Sequence, residues 1–245
     1  MGTRTEIIVA ALLLMPWSPL SGLRAEERSA TVVELFTSQG CSSCPPADAY
    51  LSELAGRPEV LALSFHVDYW DYLGWKDPYA TPDNTHRQRN YAKLFNLPYV
   101  YTPQMVVAGA VQTAGTDRTT VDEALLRRRE REARSPAVEL RRQGPEEVIA
   151  RLPALTGSGA GWDLWLVAYD DEHLTQVRRG ENQGRTIRNR NVVRGVDFLG
   201  SWEGGAGERR IVSPRSPSAG LALLVQDRET GRIEAVGRLD PVTKP

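Results

Sequence analysis

The sequence contains few cysteines and histidines, and this scarcity limits the metal chemistry that it can support. Its 245 residues include two cysteines and three histidines. A structural zinc site normally takes four Cys or His ligands, often from two separate pairs. Because the chain has one Cys-x-x-Cys pair and no second one, a zinc site of this type would be incomplete, and we expect no metal or other cofactor.

Lysine is also scarce, and the charges nearly balance. Only three of the 30 basic residues are lysine, namely Lys76, Lys93 and Lys244. The coding composition of a genome explains so strong an arginine bias as readily as chemistry does. A cluster of arginines is therefore weak evidence for a functional site. The formal net charge of -1 argues against a protein that coats nucleic acid.

Several catalytic motifs are missing. The chain has no Gly-x-Ser-x-Gly, no Walker loop, no His-Glu-x-x-His and no dinucleotide fingerprint. The glycine-rich stretch at 157–161 precedes a predicted strand rather than a helix, which makes it a poor phosphate cradle. These absences narrow the choice of function toward the one motif that is present, the cysteine pair.

One apolar run lies near the N-terminus, and no other segment approaches the roughly 20 apolar residues that a membrane helix needs. The run from Ile7 to Met15 is too short to span a bilayer, and small and polar residues follow it up to Ala25. This pattern predicts a signal peptide over residues 1–25, with an uncleaved membrane anchor as the alternative. We therefore expect a periplasmic or secreted protein without a membrane span after cleavage.

Both cysteines lie in one stretch, where a strand pattern runs into a helix pattern. An apolar, β-branched segment is followed by a glycine turn, by Cys41 and Cys44, and by Pro45 and Pro46, which suit the first turn of a helix. This order places Cys41 at a helix N-terminus, where the helix dipole favours a thiolate. The spacing therefore predicts that Cys41 is the nucleophile and that Cys44 resolves the mixed disulfide.

Two other interpretations of the pair remain open. As a structural staple, a four-residue loop would stabilise the fold by only about 1.9 kcal/mol, against about 4.7 kcal/mol for a hundred-residue loop. As a metal site, two thiolates with the imidazole of His66 would suit copper(I) or another soft metal.

The pattern of elements changes near residue 135. Strands at 31–37, 60–67, 104–108 and 110–114 alternate with helices at 45–55, 82–95 and 120–133, which predicts an α/β layer architecture over 30–134. Thr81 can cap the second helix, with Pro82 at its first position. From 137 to 245 the pattern is one of hairpins (137–142 with 148–152, and 221–226 with 233–239) and of a buried strand at 162–169. We expect an all-β, sandwich-like C-terminal domain.

The order of strand, Cys41-x-x-Cys44, helix and then Thr102-Pro103 before a strand resembles the thioredoxin fold. The resemblance implies that Pro103 is cis and lies beside Cys41. It also implies that the backbone of Thr102 is presented to an extended substrate peptide. A cis X-Pro bond is uncommon in folded proteins, so this is a specific expectation.

Longer stretches are similar to the DUF1223 family of secreted proteins, and they cover nearly the whole chain after the signal segment. They are Glu34 to Asp48, Phe65 to Trp75, Tyr101 to Gln104, Arg179 to Asn182 and Arg190 to Arg194. The family name carries no activity. The two resemblances together imply an α/β thioredoxin-like domain followed by the all-β domain.

The segment from Phe65 to Trp75 is dense in polar and aromatic side chains. We interpret His66, Asp68, Trp70 and Trp75 as a substrate-binding rim around the cysteines. The alternative is that the aromatic residues pack in the core and that Asp68 orients His66 or caps a turn.

Glu34 is a carboxylate in a strand that we expect to be buried, which is costly without a partner or a role. It would either relay the proton of Cys44 or pair with an arginine. The arginine-rich segment 178–194 is interpreted as a polar strand face that docks the two domains, or as a surface for an anionic ligand or partner.

The sequence thus predicts an exported thiol–disulfide oxidoreductase that acts on thiols or disulfides of a protein or small molecule, with a possible redox partner protein. Cys41, Cys44, Thr102, Pro103 and Glu34 form its expected catalytic set. The alternatives are a copper-binding or delivery protein, and a non-enzymatic envelope binding module with an inert disulfide.

Overall fold

A computed structural model describes residues 30–132, 137–213 and 218–242. The predicted signal peptide at 1–25 lies outside the described residues. The helices are α1 (Pro45–Ala55), α2 (Pro82–Leu94) and α3 (Arg118–Glu132). The strands are β1 (Thr31–Thr37), β2 (Val60–His66), β3 (Gln104–Val107), β4 (Val111–Ala114), β5 (Glu139–Arg142), β6 (Glu147–Leu152), β7 (Trp162–Gln176), β8 (Thr186–Trp202), β9 (Gly207–Val212), β10 (Gly220–Asp227) and β11 (Ile233–Leu239).

The strands form two sheets. The larger has eight strands in the order β11-β10-β7-β8-β2-β1-β3-β4, and the smaller has the order β5-β6-β9. In the large sheet β1 and β2 are parallel, while β3 is antiparallel to β1. The large sheet is therefore mixed, and strands from both halves of the chain contribute to it.

The predicted fold class, an α/β thioredoxin-like domain followed by an all-β sandwich-like domain, is wrong. β8 pairs with β7 along most of its length and also lies parallel to β2, with Val192 opposite Ser64. Through β8 the C-terminal strands continue the sheet of the first half instead of packing as a separate sandwich. The boundaries at 30–134 and 137–245 remain a prediction.

Asn191 shapes the place where β8 meets β2. Its backbone has φ +48°, in the left-handed region that asparagine tolerates better than most residues. Its side-chain Nδ2 donates to the carbonyl oxygen of Ala62 at 2.8 Å. The amide thus makes a hydrogen bond to β2 where the backbone of β8 departs from extended geometry.

The alternation of β1 divides the core and fixes the faces of the site. Val32 and Phe36 belong to a buried cluster with α2 and the C-terminal strands, whereas Val33 and Leu35 belong to a second cluster with α1 and α3. Even-numbered residues of β1 therefore face α2 and odd-numbered ones face α1. A third buried cluster lies between the C-terminal strands and the small sheet.

The start of α2 is as predicted. Thr81 is its N-cap, the Thr81 hydroxyl accepts from the backbone N–H of Asn84 at 3.2 Å, and Pro82 follows.

In the part of the chain that the structure describes, no helix is both long and apolar enough to cross a membrane.

Candidate functional site: a buried Cys-x-x-Cys disulfide

Cys41 and Cys44 form a disulfide. Cys41 is 1% exposed and Cys44 is fully buried. The N-cap of α1 is Cys44, with Pro45 and Pro46 in the first turn. The prediction that placed Cys41 itself at the helix N-terminus is wrong by one turn, because Cys41 lies in the preceding turn and its carbonyl accepts from the N–H of Cys44 at 3.2 Å.

A cis-proline loop faces the disulfide. The bond between Thr102 and Pro103 is cis, as the resemblance implied. The Cys41 Sγ lies 3.9 Å from the carbonyl oxygen of Thr102 and 3.3 Å from the hydroxyl of Ser43. Cys41 is therefore the cysteine of the pair that borders both the loop and a hydroxyl able to donate to sulfur.

Gly115 allows the cis-proline loop to approach α1. Its N–H donates to the carbonyl of Pro103 at 2.9 Å. A Cβ at this position would lie 2.8 Å from the Cβ atoms of both Ala47 and Pro103. Any larger residue would push the loop away from the helix that carries Cys44.

The two tryptophans of the predicted rim hold the loops around the disulfide. The indole N–H of Trp70 donates to the hydroxyl of Thr102 at 2.8 Å, and that of Trp75 donates to the side chain of Gln39 at 3.2 Å. Both side chains are half-buried. Next to them along the chain, Tyr72 is 80% exposed.

Asp68 is engaged at the start of α2 rather than with His66. The hydroxyl of Thr85 donates to Asp68 Oδ1 at 2.6 Å, and the Asp68 backbone N–H donates back to that hydroxyl at 3.2 Å. This reciprocal pair links the end of the β2 segment to α2. It corresponds to the turn-capping alternative.

His66 lies fully buried and is paired with a residue that the sequence analysis missed. Its Nδ1 is 2.7 Å from Oδ2 of Asp77, which also accepts from the backbone N–H of Gln39 at 2.8 Å. Burial alone would lower the pKa of His66, but the attraction and hydrogen bond of Asp77 outweigh it and raise the pKa. In turn, the charge and hydrogen bond of His66 lower the pKa of Asp77, although burial alone would raise it.

Asp48 on α1 is a second missed residue. Its side chain is buried, and Oδ1 accepts from the hydroxyl of Thr37 at 2.9 Å. Burial raises the pKa of Asp48 to about 7, while the nearby charge of His66 opposes the rise. The sequence contains one signal that could have identified Asp48, because it is a charged residue one turn after Cys44 on the apolar face of a helix.

The tip of the β7–β8 hairpin, residues 177–185, covers the turn that carries Cys41. The side-chain Nδ2 of Asn182 donates to the carbonyls of Gln39 and Cys41 at 3.0 and 2.8 Å. A carboxylate oxygen of Glu181 accepts from the backbone N–H of Ser42 at 3.2 Å. We call residues 177–185 the hairpin tip below.

Several arginines of the segment 178–194 pair across the same hairpin. Arg190 lies 3.0 Å from Asp171, and Arg194 lies 3.6 Å from Asp170 and over the ring of Tyr79. These cross-strand pairs form a polar strand face, one of the two interpretations made from the sequence.

Glu34 lies on the other side of the sheet from Cys44. One carboxylate oxygen is 2.5 Å from Nε of Arg87 and the other accepts from the hydroxyl of Tyr91, both of which lie on α2. Glu34 therefore has the arginine partner that the sequence analysis offered as an alternative. Its role as a proton relay for Cys44 remains a prediction.

No group of three or more His, Cys, Asp or Glu placed to hold a metal ion occurs within 30–132, 137–213 and 218–242. Of the three residues in the copper alternative, the two cysteines are bonded to each other and Nδ1 of His66 is engaged by Asp77.

These features define a protein with a buried Cys-x-x-Cys disulfide that faces a cis-proline. The chain matches the family described as "Protein of unknown function (DUF1223)" over residues 32–226, and it belongs to that family. No curated protein matches the chain.

Solved structures similar to the chain include that of protein AGR_C_4864 from Agrobacterium tumefaciens. It is 31% identical, with a TM-score of 0.75, and the match covers 90% of this chain and 98% of the other. HBP35 of Porphyromonas gingivalis is 14% identical, with a TM-score of 0.52 and coverage of 89% and 78%. The second match shows a similarity of fold alone.

Proposed function

We propose that the protein is an exported thiol–disulfide oxidoreductase that acts through Cys41 and Cys44. The observation that supports this most directly is the position of Cys41, whose Sγ lies 3.9 Å from the carbonyl of Thr102, next to the cis-proline. A four-residue loop stabilises a fold little, about 1.9 kcal/mol. The small stabilisation therefore argues against a purely structural role for the disulfide.

In the disulfide form, the reaction begins when a partner thiolate attacks Sγ of Cys41. The bond between Cys41 and Cys44 breaks, Cys44 leaves as a thiolate and takes up a proton, and the partner is joined to Cys41 as a mixed disulfide. A second partner thiolate then attacks the partner sulfur and Cys41 leaves as a thiolate. The partner loses two electrons and the cysteine pair gains them; the reverse sequence reduces a partner disulfide.

The surroundings of the pair support the assignment of Cys41 as the attacked sulfur. The Ser43 hydroxyl, 3.3 Å from Cys41 Sγ, can donate to a thiolate there. Cys44 is fully buried. Thr102 and Pro103 would position an extended partner segment, and Trp70 and Trp75 would line its approach.

Export also belongs to this proposal. The apolar run from Ile7 to Met15 and the small residues up to Ala25 support a cleaved signal and a periplasmic or secreted location. An oxidising compartment would favour the disulfide form of the pair.

The two single-cysteine variants test the mechanism. We expect Cys44→Ser to accumulate a mixed disulfide on Cys41, because the resolving thiol is gone. Cys41→Ser should form none and lose at least about 100-fold in the rate of disulfide exchange, since no attacking thiolate remains near Thr102. Trapped adducts are measured by mass spectrometry, and exchange with a model dithiol–disulfide substrate by fluorescence.

Ser42→Ala is the matched control, because the Ser42 side chain is exposed and lies between the two cysteines. It should keep the exchange rate of the unmodified chain within about twofold. Normal turnover in either cysteine variant would overturn the proposed mechanism.

A further inference from the structure

A buried cluster of ionisable residues lies on the α1 side of the sheet. It consists of Asp48 on α1, His66 on β2 and Asp77 on the loop that follows β2. The remaining buried residues of α1 are Ala47, Tyr50, Leu51 and Leu54. Burying ionisable groups is costly, so a cluster of three at this position calls for a role.

Helix geometry places Asp48 next to Cys44. The N–H of Asp48 donates to the carbonyl of Cys44 at 3.1 Å, the bond of residues four apart on a helix. Side chains with this spacing share one face, with about 5–6 Å between their Cβ atoms. Both residues are buried, Asp48 being 3% exposed, so a proton leaving Cys44 has Asp48 as its neighbouring acceptor.

Glu34, the acceptor suggested by the sequence, is differently placed. It is an even-numbered residue of β1 and therefore faces α2, where Arg87 and Tyr91 hold its carboxylate. Thr37 is odd-numbered and faces α1, where its hydroxyl donates to Asp48. The sheet thus separates Glu34 from Cys44 and leaves Asp48 on the same side.

Groups on every neighbouring element act on Asp48. Thr37 on β1 donates to its carboxylate. Asn189 on β8 and the charge of His66 on β2 also favour the charged form of Asp48, whereas burial and the charge of Asp77 oppose it. The positive charge of Arg194 on β8 lowers the pKa of His66. Among the described residues, Nε2 of His66 is buried and has no hydrogen-bond partner.

We propose that Asp48 accepts the proton of Cys44 when Cys44 resolves a mixed disulfide, and that His66 and Asp77 are positioning residues that set the charge of Asp48. This inference rests on the proposed function. The Cys44 thiol transfers its proton to the Asp48 carboxylate, and the resulting thiolate attacks Sγ of Cys41. The Cys41–Cys44 bond forms, the bond from Cys41 to the partner breaks, and the partner leaves as a thiolate. The proton held by Asp48 returns to Cys44 when the pair is next reduced.

The resolving step can be measured without the natural partner. Reduced protein is mixed in a stopped-flow instrument with the aromatic disulfide dithiobis(nitrobenzoate), which releases one coloured thiolate when Cys41 attacks. A second coloured thiolate is released when Cys44 resolves the adduct. The rate of this second phase, followed from pH 5 to pH 9, reports the ionisation of Cys44 and of its proton acceptor.

In the unmodified chain we expect the second-phase rate to rise with pH through an inflection near 7, where Asp48 loses its proton. Asp48→Asn should remove this inflection and slow the second phase at pH 7 by roughly 10-fold to 100-fold, with the first phase changed less than about threefold. Asp48→Glu should restore part of the rate. Glu53→Gln, an exposed carboxylate on the same helix, is the matched control and should leave both phases unchanged.

The pH profile of the second phase in His66→Asn is a second test, and it does not depend on the folding of the Asp48 variant. Because the charge of His66 lowers the pKa of Asp48, its removal should shift the inflection to higher pH. A second-phase profile in Asp48→Asn with the same inflection and rate as the unmodified chain overturns the proposal, as does an unshifted inflection in His66→Asn. Absence of the first phase in the unmodified chain would instead contradict the proposed function.

Discussion

At the residue scale, the chain buries two carboxylates near one strand and gives them different surroundings. Glu34 is fixed by Arg87 and Tyr91 on the α2 side of the sheet, while Asp48 on the α1 side has a hydroxyl and an imidazole nearby. A guanidinium stays charged at all physiological pH values, whereas an imidazole does not. Glu34 is therefore suited to a permanent ion pair and Asp48 to proton exchange.

Glu34→Gln tests whether the ion pair of Glu34 with Arg87 stabilises the fold. The substitution leaves the Arg87 guanidinium buried without its counter-charge, and breaking a buried pair in this way costs about 3–5 kcal/mol. We expect the free energy of unfolding, measured by urea denaturation, to fall by about this amount. Dithiol–disulfide exchange by the folded fraction should be unchanged.

The control for this substitution is Glu53→Gln, which breaks an exposed pair with Arg118. Exposed pairs of this kind contribute little to stability, so we expect a much smaller loss. If Glu34→Gln were no more costly than this control, Glu34 would not be the partner that keeps Arg87 charged in the core.

At the element scale, the hairpin of β7 and β8 connects the sheet to the disulfide. Both strands extend beyond the sheet core, and the hairpin tip at 177–185 reaches the turn of Cys41. Asn182 is buried there and its Nδ2 bonds two backbone carbonyls. We therefore expect the hairpin tip to limit the access of a thiol reagent to Cys41.

Asn182→Ala should make the disulfide easier to attack. The substitution removes two hydrogen bonds, each contributing about 0.5–1.5 kcal/mol net, so the hairpin tip opens more often. We expect reduction by dithiothreitol, followed by alkylation and gel shift, to become at least about 5-fold faster. Gln183→Ala, on an exposed neighbour in the same tip, should leave the rate unchanged, and an equal rate in both variants would show that the tip does not limit access.

Elements with a clear periodicity could be predicted from the sequence, and those with mixed patterns could not. β1 and α1 have the predicted bounds, and α2 begins at the predicted cap. β8 was not predicted as a strand of the sheet, because its arginines pair with the acidic end of β7 and interrupt the alternation of apolar residues. The start of α3 also differs, since Asp117 accepts from the N–H of Thr120 and the helix begins at Arg118.

At the scale of the whole molecule, the missed strand explains the wrong fold class. Without β8, the two halves look like separate domains; with it, they share one eight-stranded sheet. One buried cluster contains Phe65 from the first half together with Val167 and Leu224 from the second. Pairing between distant strands depends on contacts that no local pattern encodes.

The site shows the same division between local and distant signals. The cysteine pair and the cis-proline could be expected from the sequence, because short motifs and a resemblance carry them. Asp77 and Asn182 could not, because no local pattern pairs them with their partners. Asp77 pairs with His66 across a loop and with the N–H of Gln39, and Asn182 reaches the carbonyl of Cys41 from the second half of the chain.

The reduction potential of the Cys41–Cys44 disulfide decides whether the pair is redox-active. The whole purified protein is equilibrated in glutathione or dithiothreitol buffers, and the reduced fraction is read by alkylation and gel shift. We expect a potential above roughly -300 mV: above roughly -200 mV for an oxidant or isomerase, and near roughly -270 mV for a reductant. A potential below roughly -300 mV would mean that the disulfide is a stable structural bridge and that the proposed redox function is wrong.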